Sequence, residues 1–276
     1  MAIDSGPRTA TAGRASRAWR ASAASVARAV RDYPRRNPLT FTYLLVILAG
    51  LLVMTKVLSG PAADHFKIAI STNPHNMAHA PLTVLPASPV FAATDSGVFS
   101  HLLIIGGGVG VCMAALERRI GALRTVALFL LANSIATAVA TSVAAAAIHS
   151  GRYPAKWWDG YDYGISYGVL AIAASVTPLV ARAVASLSSL RPLRSWSSLR
   201  SWSWSSLSWS LPSRIVRLLW IAGVFAYPFV SAQWFGLLPN FATIGHETAA
   251  AFGLAAGYYL LRGDATDRAV EPDPER

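Results

Sequence analysis

Ser166 lies in the string Gly164-Ile165-Ser166-Tyr167-Gly168, where a polar stretch gives way to the apolar run VLAIAASV. A hydroxyl flanked by glycines at such a boundary has three readings: a helix cap, a packing notch or a nucleophile. Which one applies depends on what faces it. The residue of matching type is His246, in FATIGHETAAAFGLAAGYYL. A neutral imidazole can take a serine proton and return it to a leaving amine, so the two together would support acyl transfer. Each alone has a plainer reading, Ser166 as a cap and His246 as a structural hydrogen-bonding residue. The GxSxG string adds little, because the hydrolase elbow needs a strand, a turn and a helix, and no strand is expected here.

Spacing brings the two closer. His246, Ala249, Gly253 and Gly257 follow steps of three and four, so they share one helical face that admits another backbone. Gly164 and Gly168 offer a similar notch on the helix of Ser166. Ser166 itself is two residues from each glycine and faces another way on an ideal helix. That conflict eases if the helix begins near Ser166, with Gly164 in the entering loop; first-turn amides then become available to an oxyanion. His101 is a third polar group at similar depth, either an interface histidine or an oxyanion donor. Glu247 points about 100° away from His246 and is a poor candidate for orienting its ring. Asp159 and Asp162 are expected to cap or hold their loop. His75 and His79 have i,i+4 spacing, but neighbouring prolines weaken the helix that would bring them together and no third ligand is evident. Neither a metal nor a cofactor is expected.

The elements that must position these groups are transmembrane helices. Of 276 residues, 54% are hydrophobic and only 13% charged, too apolar for an ordinary soluble domain. The formal charge of +11 does not indicate a nucleic-acid partner, because the arginines flank apolar runs; membrane lipids are the expected partner. Cys112, the single cysteine, reads as a small buried hydrophobe. Six spans are expected, at about 39–58, 98–117, 123–148, 163–184, 215–235 and 241–261. Lys and Arg are few after spans 1, 3 and 5 and abundant elsewhere, which places both termini in the cytoplasm and loops 59–97, 149–162 and 236–240 outside. The chain divides into a basic arm at 1–37, an all-α membrane domain at 38–262 and a tail at 263–276. A Ser/Trp/Arg-rich interfacial linker at 186–213 interrupts the membrane domain. Glu117, Arg118 and Arg119 are expected to close the cytoplasmic end of span 2 through ion or backbone pairing.

From these residues the chain resembles the rhomboid family of intramembrane serine proteases. The likeness rests on Gly164-Ile165-Ser166 against the GxSG motif, on His246 with the small residues after it, and on His101 followed by Glu117-Arg118-Arg119-Ile120-Gly121. It implies a six-helix bundle in a cell membrane, with Ser166 as nucleophile and His246 as general base and acid. His101 and the Ser166 amide would then hold the oxyanion. The implied reaction is hydrolysis of a transmembrane protein substrate near the outer leaflet, by a dyad without a cofactor. The loop from Ser59 to Gly97 is similar to the family's first loop, partly embedded beside the core. Three positions depart from the pattern, the mildest being Ala249, where the family has its first small glycine after the histidine. Ile105 stands where the family has an asparagine, and Tyr167 where it has a second glycine. Tyr167 could crowd the groove or lend its hydroxyl as a donor. These departures leave a second class open, a non-catalytic rhomboid-like protein that binds client transmembrane helices.

Overall fold

A computed structural model describes residues 23–58, 60–94, 97–180, 182–183, 213–230 and 232–267. The linker expected at 186–213 lies outside them except for its last residue, as does the end of the tail. Among the described residues, three helices are long and apolar enough to cross a membrane: Pro38–Val57 (α2), Val98–Ile120 (α6) and Ala122–His149 (α7). Residues 23–36 form α1. Between α2 and α6 lie three short helices, α3 (Gly60–Ile70), α4 (Pro74–His79) and α5 (Pro81–Ala87). Then come α8 (Ser166–Ser175), α9 (Ser213–Ala226) and α10 (Phe241–Asp267), with a small antiparallel pair, β1 (Trp234–Phe235) and β2 (Leu238–Pro239), before α10.

The last three helices stand where spans 4 to 6 are expected, with different proportions. Helical structure continues past α8 to residue 180. At 14 residues, α9 is only about 21 Å long. It stops well short of 235, because Pro228 sits in a 3-10 turn (Tyr227–Phe229) and the chain then folds into the β1–β2 pair. At 27 residues, α10 is about 40 Å long, although its polar residues leave it less apolar than α2, α6 or α7.

The two ends of the bundle are built differently. At the arginine end, α2 has no side-chain cap of its own, and Pro38 at its start lacks an N–H. Glu117, near the end of α6, supplies the cap from another helix. Its carboxylate accepts from Leu39 N (2.9 Å), Thr40 N (3.0 Å) and Thr40 Oγ1 (2.7 Å). Arg118 Nη1 donates to Asn37 Oδ1 beside it, at 2.6 Å, and the Tyr33 hydroxyl of α1 donates to the Gly110 carbonyl at 2.6 Å. The expected closure of this end by Glu117 is therefore a backbone pairing with α2, and the last turns of the basic arm are docked on α6.

At the other end, loops carry the load. The Tyr153 hydroxyl donates to the Pro239 carbonyl, and Tyr153, Trp157, Phe235 and Phe241 pack ring against ring. Ser71, Thr72 and Asn73, all fully buried, pin the loop that leads to α8. Thr72 N and Oγ1 donate to the Asp162 carbonyl at 2.5 and 2.7 Å, and Asn73 Nδ2 donates to the Gly160 carbonyl at 3.1 Å. The long loop after α2 is thus a structural part of the wall around α8.

Candidate active site

Helix α8 begins at Ser166, and its first intrahelical bond runs from Val169 N to the Ile165 carbonyl at 3.0 Å. The amides of Ser166, Tyr167 and Gly168 precede that bond and have no partner within the helix. Gly164 stays in the loop at φ +135°, a conformation suited to glycine. Its own N–H donates to Ser88 Oγ at 3.2 Å. The hydroxyl of Ser166 is therefore presented on the first turn of a helix whose N-terminus opens to one side.

That side is a cavity of about 360 Å³. Ser166, His246 and His101 all line it, together with Ile105, Tyr163, Asn240 and Tyr227. The three groups singled out in the sequence thus come from three helices, α8, α10 and α6, to one hollow. No hydrogen bond joins Ser166 Oγ to His246 among the described residues. His101 Nδ1 lies 3.1 Å from the Gly97 carbonyl, which leaves Nε2 as its unengaged nitrogen.

Small residues set the contact between α8 and α10. A Cβ on Gly253 would overlap the Ala171 backbone, and one on Gly257 the Ser175 backbone. Ala249 is fully buried against Tyr167 and Ala171. The glycines near Ser166 play other parts than the shared notch expected of them. Gly168 faces the Phe129 ring of α7, and Gly164 faces the backbone at Phe91 and Ala93. Close packing of α8 on α10 comes from Gly253 and Gly257, one to two turns deeper.

Tyr167 does not line the cavity and does not crowd it. It is 3% exposed and turns toward α10, where Gly245 leaves the space its ring occupies. The ring meets His246 edge to face, with centroids 4.8 Å apart and planes at 81°. Its hydroxyl donates to Asp162 Oδ2 at 2.7 Å, an oxygen that Thr72 Oγ1 also approaches at 3.2 Å. Desolvation pushes the Asp162 carboxyl up to about 6, with the Tyr167 and Thr72 hydrogen bonds opposing it. So Asp162 does hold its loop, and it also fixes the ring that borders the histidine.

Asn240 is a cavity residue the sequence reading passed over. It precedes α10, and its Oδ1 accepts from Thr243 N (3.2 Å) and Thr243 Oγ1 (2.6 Å). This is an N-cap whose amide nitrogen remains as a donor at the cavity wall. The signal was present in Asn240-Phe241-Ala242-Thr243, a capping residue just before an apolar helix.

No curated protein and no solved structure matches the chain significantly. A family profile described as Rhomboid-like protein matches residues 32–188. This stretch is more than half the chain and contains His101 and Ser166, and it ends before His246. The chain belongs to the rhomboid-like family.

Proposed function

We propose that the chain is an intramembrane serine endopeptidase that cleaves transmembrane segments of protein substrates. The observation that carries this reading is the convergence of Ser166, His246 and His101 on one cavity at the N-terminus of α8. Ser166 Oγ attacks the scissile carbonyl while His246 takes its proton. In the neutral imidazole one nitrogen keeps its lone pair and accepts that proton while the other carries its own. The first-turn amides of α8 face the developing oxyanion; His101 adds a donor there only when both its nitrogens carry protons, because Nδ1–H already donates to the Gly97 carbonyl. Asn240 Nδ2 supplies a further donor, in a wall where Ile105 has none. His246 then protonates the leaving amine, and water repeats the sequence on the acyl-enzyme.

In this reading the bundle has six spans in the cell membrane, both termini are cytoplasmic and the cavity opens outward. Purified protein in lipid should cleave a single-span substrate that carries small, helix-weakening residues near its outer end. Ser166→Ala and His246→Ala should each abolish cleavage, and the double variant should be no worse than either alone. Cleavage that survives Ser166→Ala would contradict the assignment. A second reading is a catalytically inactive rhomboid-like protein that binds client transmembrane helices. Ile105 in the cavity wall and the lack of a Ser166–His246 bond favour it. Uncut clients that co-purify across a broad panel would select it.

A further inference from the structure

We propose that His75 and His79 form an open site for a divalent transition metal of the zinc class, with Asp159 as the carboxylate behind His75. The prolines that were expected to weaken this helix instead delimit it. Pro74 occupies the first turn of α4, where no N–H is needed, and Asn73 caps it by accepting from Asn76 N at 2.8 Å. The i,i+4 pair therefore shares one face of a formed turn, and the two ring centroids are 4.6 Å apart. Two imidazoles on one zinc ion at Zn–N distances of about 2.0–2.1 Å place their ring centres about 5 Å apart.

Hydrogen bonds also select the nitrogen each ring presents. His79 Nδ1 lies 2.8 Å from the His75 carbonyl, an acceptor only, so Nδ1 carries the proton and Nε2 keeps its lone pair. His75 Nδ1 lies 2.9 Å from Asp159 Oδ1, which fixes the same tautomer through a carboxylate. Both rings are exposed. Among the described residues no set of three His, Cys, Asp or Glu side chains could hold a metal. The remaining positions therefore belong to water, and binding is weaker than at a closed four-ligand site. The site lies on the seam where Asn73 holds Gly160, on the loop that leads to Ser166, and does not depend on the protease reading.

Full-length protein in detergent, titrated with zinc chloride against a fluorescent chelator, should bind one Zn²⁺ per chain. His75→Asn and His79→Asn should each weaken binding at least about tenfold, and Asp159→Asn about tenfold. His65→Asn and His149→Asn should leave it unchanged. Zinc should also slow amide exchange across residues 155–162 in the native chain and fail to do so in the His75→Asn/His79→Asn double variant. Absence of saturable binding, or binding of equal strength in that double variant, would overturn the proposal.

Discussion

The two flanks of α8 are packed in opposite ways. Toward α10, backbone meets backbone, with Gly253 and Gly257 against Ala171 and Ser175. Toward α6 and α9, Val169, Leu170 and Ala173 border an apolar cavity of about 460 Å³, shared with Gly107, Val111, Cys112, Leu219 and Gly223. α6 still packs closely on α8, where a Cβ on Gly108 would overlap the Val169 side chain, whereas α9 reaches across at isolated points such as Trp220 Nε1, which donates to the Ala173 carbonyl at 3.0 Å. The close flank holds the helices of Ser166 and His246 in one relation, because neither can move without breaking dispersion contacts along two turns. The loose flank leaves room beside them. Rigidity is concentrated between the helices that carry Ser166 and His246 and relaxed toward α9.

Substitutions on the two flanks should therefore differ sharply. The largest effect is expected from Gly253→Val with Gly257→Val, since the added atoms meet backbone that cannot rotate away. Overpacking of about 1–3 kcal/mol per site should lower the thermal midpoint in detergent and disrupt the cavity. An unchanged midpoint would show that the close flank does not hold the bundle. Glu117→Ala comes next. It strips three bonds from the buried start of α2, and hydrogen bonds to charged groups contribute about 1.5–3 kcal/mol each. The loss is expected to fall below their sum, because bonds to one carboxylate are not additive, and is read as earlier proteolysis or faster exchange across residues 38–44. Recovery in Glu117→Gln should be partial, because the amide keeps one acceptor.

Asp162 gives a smaller effect with a defined sign. Its carboxyl in the folded chain stands at about 6, above about 3.9 for an unperturbed aspartate. The native state therefore binds this proton more tightly than the unfolded chain. The stabilisation is complete below about pH 4 and is lost as pH rises through about 6. Native protein should gain stability relative to Asp162→Asn as pH falls from 7 to 5, and a reversed slope would contradict desolvation as the cause. The smallest effects belong to the loose flank. Gly107→Ala and Gly223→Ala meet nothing within 4 Å and should change the midpoint little. Large destabilisation there would erase the contrast between the two flanks.

The parts of this fold visible in the sequence are those set by local chemistry. Apolar length identifies α2, α6 and α7, and Gly164 before Ser166 marks where α8 begins. The 3- and 4-residue steps after His246 give the close face of α10. Other features depend on residues far apart in the chain. Tyr167 finds its place through Gly245, about eighty positions later, so its own position suggested crowding of the groove. Gly168 looks like part of a notch for α10 until Phe129 of α7 is seen beside it. Glu117 caps a helix that starts about eighty residues earlier, which no local pattern encodes. The end of α9 was misplaced because the apolar residues Phe229, Val230, Trp234 and Phe235 continue the hydrophobic run. The helix ends at Ala226, just before Pro228, and Gly236 then turns the chain within the β1–β2 pair.

The proposed chemistry depends on His246 activating Ser166. Its most direct test is labelling of the full-length protein in lipid with a fluorophosphonate, read by mass spectrometry of the labelled peptide. One adduct is expected, on Ser166, lost in Ser166→Ala and suppressed to the level of other serines in His246→Ala. An adduct on another serine, or equal labelling of Ser166 with and without His246, would contradict it.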